Sequence, residues 1–554
     1  MAVGRLAWRT ATGALAWEIW GRRRWNFLWH ALALLAGMAC ACCKARVASE
    51  LLGMVVTVIA MSCFVGSYLC LLTWFGYIEA EAGQLRISYP ARLLLKPVST
   101  LQLALVPMAF GGAALATVLL LWDKLVLEPL GHAGPLAPVW LGAISLSFFW
   151  WTQALAWGLP FQMLGRALVI LMMSVVHLLV ALLPLSPVPV APAWRWLILA
   201  ALLGSAVPVA FTGLKWTRRE TGGGPSRWSL FWAALLPGRA RLRRPGFGSV
   251  FRAQFWLEWR INGLVLPGVV AGIGLMIIPV LYLVQAPQER NDFGLIVVNL
   301  MLAVPLVLSG VMSTALARFG PLQPAGAFPL YIAVRPITNG GLLLAKLAVG
   351  LASSVLAWLI AVAAGGFWLA VLGPGKIFRN VRVHAPGGMG AILIGCLPVM
   401  LLLILVTWKN LLGGLAAALT GRQWVITVFN LWRALFYTGL LALILAAKDY
   451  ADFRAVLLHW LPWLLAACLA SKIALAAVAF AGGLRRNALT VAAIGWIAGA
   501  WVAGGLFLAA YSGLVCGALN RLELWLWIAP TGFLILPLAD AAIAPLSLAW
   551  NRHR

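Results

Sequence analysis

Leu101–Trp122 reads LQLALVPMAFGGAALATVLLLW, twenty-two residues without a charged side chain. A helix crosses the hydrocarbon core of a bilayer with about 20 apolar residues, so this stretch fits one crossing. Comparable runs lie on both sides of it: Asn26–Cys43, Leu51–Tyr77, Val139–Leu159, Ala167–Leu185 and Trp196–Leu214. After a polar stretch from Lys215 to about Val250 come Ile261–Gln285, Phe293–Leu316, Leu342–Leu372, Met389–Thr407, Val425–Ala447 and Val456–Gly482. A last pair runs Thr490–Gly513 and Leu522–Trp550. The expected fold is all-α: a polytopic integral membrane protein of about fourteen transmembrane helices.

Composition supports that class. Of 554 residues, 63% are hydrophobic and 10% charged, against about 25% charged in an ordinary globular protein. Too few polar side chains remain to cover a water-facing surface. A soluble enzyme, a secreted disulfide scaffold and a disordered chain are excluded. The net charge of +27 would suggest nucleic acid in a soluble protein. In a membrane protein it is a topology signal and a grip on anionic lipid, so the expected partners include membrane lipids and no nucleic acid. Cys40, Cys42 and Cys43 sit together, but a metal site needs a paired ligand set and no second cluster exists. They read as small apolar packing.

The first apolar run lacks a small-residue cleavage site, so no cleavable signal peptide is expected. Upstream, Trp8, Thr12, Leu15 and Ile19 recur at helical spacing among Arg5, Arg9 and Arg22 to Arg24. Met1–Trp25 reads either as an amphipathic helix on the inner leaflet or as an extension of the first span. Lys and Arg fall mainly on the side that holds the N-terminus, which the positive-inside rule makes cytoplasmic. An even span count places both termini there.

The chain also repeats itself. A shift of 239 residues lays Trp17 on Trp256, Trp20 on Trp259 and Gln84 on Gln323. It lays Tyr89-Pro90 on Phe328-Pro329, and Lys96-Pro97-Val98-Ser99 on Arg335-Pro336-Ile337-Thr338. This predicts a tandem duplication of a six-span unit, both halves starting inside, hence two parallel repeats. The expected division is 1–214 for the first half with its amphipathic N-terminal helix and 215–249 for a basic cytoplasmic linker. Residues 250–484 form the second half, and 485–554 an additional pair of spans.

The duplicated loop lies between the second and third spans of each half. Proline fixes φ and cannot donate a hydrogen bond, so Pro90 and Pro97 bracket a segment of about two turns, as Pro329 and Pro336 do. Arg92, Lys96 and Arg335 give these segments charge, and Ser99 and Thr338 are placed to cap the helix that follows. Such a helix suits docking to a protein; the alternative is a re-entrant turn resting on lipid headgroups.

This layout resembles the type-two export class of ABC transporter permeases. In that family a short coupling helix in the same loop often reads Leu-Leu-x-x-Pro-Val-Ser; Leu94-Leu95-Lys96-Pro97-Val98-Ser99 is similar, one residue shorter. Ala333-Val334-Arg335-Pro336-Ile337-Thr338 is a looser version. Lys346 matches a basic residue that the family often has at the start of the third span, where Pro107 stands in the first half. Glu79 and Glu81 match acidic residues before the coupling segment; the second half has Arg318. The resemblance covers roughly 6–214 and 250–482. It implies a permease subunit moving substrate by alternating access, with ATP on a separate nucleotide-binding ATPase present in two copies. It further implies an inner-membrane location, and coupling through Pro90, Arg92, Lys96, Pro97, Ser99, Pro329, Arg335, Pro336 and Thr338.

No phosphate-binding loop occurs; Gly373-Pro374-Gly375-Lys376 lacks the spacing and the hydroxyl. The chain is therefore expected to be no enzyme and to carry no cofactor or metal of its own. Only fourteen carboxylates exist, without a close Asp/Glu/His constellation, so an integral membrane enzyme acting on a lipid-linked substrate is the third reading. The second is an ion-coupled secondary transporter, which needs ionisable groups at mid-membrane. Arg433, Lys472 and Asp540 are the candidates, with a charge pairing of Asp540 to Arg433 or Lys472 as the plainer expectation. His177 and His459 read as packed or hydrogen-bonded.

Overall fold

Backbone N–H and C=O groups inside a bilayer find no water, so each must pair within the protein. Among the described residues the computed structural model meets this with helices, joined by turns and one two-residue ladder. It describes residues 11–46, 50–75, 79–80, 87–89, 91–94, 96, 98–131, 138–158, 163–185, 191–220, 248–284, 293–313, 316, 338–372, 388–422, 425–426, 428–429, 433, 451–518 and 525–552. Among them, eleven helices are long and apolar enough to cross a membrane, and Val56–Tyr68 and Ala167–Leu182 are shorter apolar helices. This is a multi-pass membrane protein. The expected span Val425–Ala447 lies mostly outside the described residues.

The chain forms two units, Met1–Pro245 with Leu431–Ala451, and Gly246–Asn430 with Asp452–Arg554. In the first, α1 (Ala11–Arg46) packs on α2 (Glu50–Phe75), and the antiparallel ladder β1 (Glu79–Ala80) with β2 (Ile87–Ser88) follows. Then come α3 (Ala91–Leu94), α4 (Thr100–Trp122) with a π-helical turn Asp123–Leu127, α5 (Pro138–Gly158), α6 (Met163–Leu182) and α7 (Pro192–Glu220). The core gathers Ile19, Leu71, Tyr89, Leu93, Trp122, Phe149 and Trp157.

Of the two expectations for the N-terminal segment, residues 11–25 follow the second, an extension of the first span: α1 runs unbroken from Ala11 through it. No Pro or Gly pair stands between Trp20 and Asn26 to stop it, and Arg22–Arg24 are good helix formers. Leu15 and Ile19 are buried while Trp17 and Trp20 are exposed, so its inner side packs on the unit.

Helices α5 and α7 approach backbone to backbone. A Cβ on Gly213 would stand 2.4 Å from Gly158 Cα, so both positions need glycine for the backbones to approach, as small residues allow in membranes. On α7, Trp194, Trp196 and Trp216 are exposed. From Trp194 to Trp216 a helix rises about 33 Å, close to one hydrocarbon thickness, which suits tryptophans at the two interfaces.

In the second unit, α8 (Val250–Glu258) continues through a π-helical turn at Trp259–Gly263 into α9 (Val265–Gly272), a second π-helical turn at Ile273–Ile277 and α10 (Ile278–Val284). Next come α11 (Phe293–Val311), α12 (Asn339–Leu372), α13 (Gly388–Gly413), α14 (Leu415–Leu419), α15 (Ala451–Arg485), α16 (Val491–Ala518), α17 (Trp525–Ile535) and α18 (Leu538–Arg552). The expected last span is thus two helices, broken at Leu536-Pro537. The C-terminal helices pack within this unit: α18 lies against α12 and α14, much as α7 lies against α4 and α5 in the first unit.

Candidate functional site

The loop before the third span is built from its anchors. The ladder pairs Glu79 with Ser88 and Ala80 with Ile87, delivering the chain to Tyr89. That side chain is fully buried with its ring edge-on to Trp157. Its hydroxyl donates to the Leu103 carbonyl at 2.9 Å. Pro107 has no N–H to offer the carbonyl four residues before it, which is that of Leu103, so the tyrosine supplies the missing donor.

The helix that follows is one turn, Ala91–Leu94, not two. Leu93 and Leu94 are buried, so the turn is pulled onto the unit by its leucines. Ser99 caps α4: Gln102 N–H donates to its Oγ at 3.2 Å, and Ser99 N–H donates to Gln102 Oε1 at 3.2 Å, a reciprocal capping box. Two links tie the loop to α1. The Lys96 ammonium pairs with Glu18 at 2.6 Å, and Gln102 Nε2 donates to Thr12 Oγ1 at 3.2 Å. A third link comes from α7: Arg218 donates to the carbonyls of Val98 and Lys96, both at 2.8 Å, and to Thr100 Oγ1 at 3.4 Å. Lys96 therefore already has a partner in its own chain, though half-exposed pairs of this kind contribute only about 0–1 kcal/mol.

Pro90, Pro97, Pro329, Arg335 and Pro336 lie outside the described residues, and for Arg92 only the backbone is described. Thr338 is exposed and caps α12: Gly341 N–H donates to its Oγ1 at 3.1 Å and Leu342 N–H to its carbonyl at 3.0 Å. Ser99 makes the same two bonds, from Gln102 and Leu103, each 239 positions earlier. A second likeness is partial. Trp150 donates to the Met108 carbonyl at 3.1 Å, and Trp408 to the Leu347 carbonyl at 3.0 Å; the acceptors are 239 positions apart, but the donors are 258 apart, and Met389 stands at the shifted position of Trp150.

Sequence reasoning missed a buried ion pair. Glu258 of α8 meets Lys346 of α12 at 2.8 Å, each side chain about 1% exposed. Gln254 and Asn262 donate to the two carboxylate oxygens at 3.1 Å each, and Lys346 also donates to the Leu316 carbonyl at 2.8 Å. A signal was present at the 239-residue offset: Glu258 and Lys346 correspond there to Ile19 and Pro107, so both charges are missing together.

Of the expected intramembrane charges, Arg433 is half-buried in the first unit and Asp540 lies in the second. Lys472 donates to the carbonyls of Phe533 at 3.1 Å, Leu534 at 2.7 Å, and Leu536. Asp540 stands in the first turn of α18, four positions after Leu536. Lys409, itself bonded to the Leu534 carbonyl at 2.8 Å, was missed because the expected span stopped at Thr407, whereas the apolar run continues through Val399–Leu419. His177 is buried: Nδ1–H donates to the Met173 carbonyl at 2.7 Å, which leaves Nε2 to accept from Ser147 at 3.0 Å. Among the described residues, no three His, Cys, Asp or Glu side chains gather as a metal site requires. No protein-family model matches this chain, and neither a curated protein nor a solved structure shows significant similarity to it.

Proposed function

We propose that this chain is the membrane permease subunit of an ATP-driven ABC transporter, two six-span halves fused in one polypeptide. A separate nucleotide-binding ATPase, in two copies, binds ATP and docks on the cytoplasmic loops that precede the third span of each half. The membrane is the bacterial cytoplasmic membrane, both termini are cytoplasmic, and substrate moves by alternating access. The observation that carries this reading is the recurrence of that loop. It has the order basic residue, proline, aliphatic residue, hydroxyl residue in both halves, and Ser99 and Thr338 each cap the next helix with one bond to the hydroxyl and one to the carbonyl. In the first half, three links to α1 and α7 support a loop stiff enough to pass on a push.

The test is co-purification from native membranes. Lys96→Glu combined with Arg335→Glu is expected to lose the ATPase and its stimulated hydrolysis while the chain still inserts. Glu18→Ala with Lys96→Ala removes the internal pair without reversing charge and is expected to keep the ATPase. Full ATPase recovery with the charge-reversed variant would end this reading. An ion-coupled secondary transporter is the second reading, favoured by Lys409, Lys472 and Asp540 inside the apolar helices.

A further inference from the structure

Ile528–Ala549 is apolar enough to cross a membrane, yet its helix breaks inside it. Pro537 offers no N–H to the Phe533 carbonyl four residues earlier. Leu538 N–H, which would serve Leu534 in an unbroken helix, turns back to Leu536 at 2.9 Å. Backbone carbonyls are thereby released where water is absent, and each must find a donor.

The donors come from three other helices. Lys472, midway along α15, directs its three ammonium N–H groups to Phe533, Leu534 and Leu536. Lys409 of α13 shares the Leu534 carbonyl. Trp501 of α16 donates its indole N–H to the Phe533 carbonyl at 3.0 Å and stands edge-on to the Phe533 ring. Asp540 stands in the first turn of α18, directly after the break.

A compact cation enclosed by released carbonyls, with one carboxylate nearby, is the arrangement by which membrane proteins hold alkali ions at broken helices. Here the cation is covalently tethered. We propose that the break in the last span is a monovalent-cation site, made by the carbonyls of Phe533, Leu534 and Leu536 beside Asp540, which the chain fills with the ammonium of its own Lys472. Charge selects the class of ion. Lys409 and Asp540 balance each other, so one positive charge restores the native count and a divalent ion would exceed it. The tethered ion has no entropy of capture to overcome, so it excludes dissolved Na⁺ and K⁺ and holds α15 against the break. The site uses nothing from the loops before the third spans and stands whether or not an ATPase docks there.

The experiment uses the purified full-length chain in detergent, with unfolding followed by tryptophan fluorescence in NaCl, KCl or N-methylglucamine chloride at equal ionic strength. Wild type should unfold at one temperature in all three salts. Lys472→Ser opens the nest, and its midpoint should rise saturably in Na⁺ or K⁺ over N-methylglucamine, by at least about 2 °C. Adding Asp540→Asn should shrink that rise. A Lys472→Ser chain that unfolds identically in the three salts would overturn the proposal. Should that variant not be recovered, Lys472→Gln is measured in the same way. Failure of both to fold in any of the salts would also overturn it, because a free ion then cannot replace the ammonium.

Discussion

The two units meet the same structural problem with different chemistry at matched positions. Where α1 packs on α4, the first unit buries Leu15, Ile19 and Pro107; where α8 packs on α12, the second buries Gln254, Glu258 and Lys346. All three pairs are 239 positions apart. A further substitution belongs to the set. Pro107 leaves the Leu103 carbonyl without a helical donor and Tyr89 supplies one, whereas Lys346 has its own N–H and position 328 is phenylalanine, with no hydroxyl to offer. One half uses a proline, a tyrosine and apolar packing; the other uses an ion pair held by two amides. The residues at each contact differ as groups, as packed positions do when each constrains the next.

The largest expected effect tests the ion pair. Glu258→Leu or Lys346→Leu alone strands a charge in the interior and should cost about 3–5 kcal/mol. The double variant, which gives the second unit the apolar character of the first, should recover most of that loss in denaturant unfolding. Independent, additive losses would break the comparison. Next in size is Tyr89→Phe, which leaves the Leu103 carbonyl buried without its hydroxyl donor and should cost about 1–3 kcal/mol. Pro107→Ala supplies a backbone N–H in its place, so Tyr89→Phe should be nearly harmless in that background; a full loss in both backgrounds would show that the hydroxyl and the proline are unrelated. The smallest effect should be shared. Ser99→Ala and Thr338→Ala each remove a helix cap worth about 1 kcal/mol. Melting temperatures should fall by similar amounts, and a marked inequality would show that the two caps do different jobs.

These contrasts also mark what the sequence could reveal. Span positions were legible because twenty apolar residues leave few alternatives: Leu101–Trp122 is recovered within α4 and its capping serine is in place. The extent of helices was less so, since α1 and α8 run into their spans without a breaker. The segment between Pro90 and Pro97 reads as a helix free to dock; the burial of Leu93 and Leu94 depends on a neighbouring surface that a local pattern does not contain. Glu258 and Lys346 lie 88 positions apart, beyond any local pattern. Only the comparison with Ile19 and Pro107 points to their pairing. Arg218 gave no signal, because its partners are backbone carbonyls, which every residue possesses.

The central claim is that both capped loops face the cytoplasm and receive an ATPase. Ser99→Cys and Thr338→Cys, each in a chain whose eight native cysteines are replaced, place a label at the two caps, both of which are exposed. Inverted vesicles of the native membrane are treated with an impermeant maleimide, with and without ATP and vanadate. The account predicts that both cysteines label from the cytoplasmic side and that both are slowed alike when ATP and vanadate hold the ATPase closed. Labelling of the two from opposite faces, or at rates indifferent to ATP and vanadate, would contradict it.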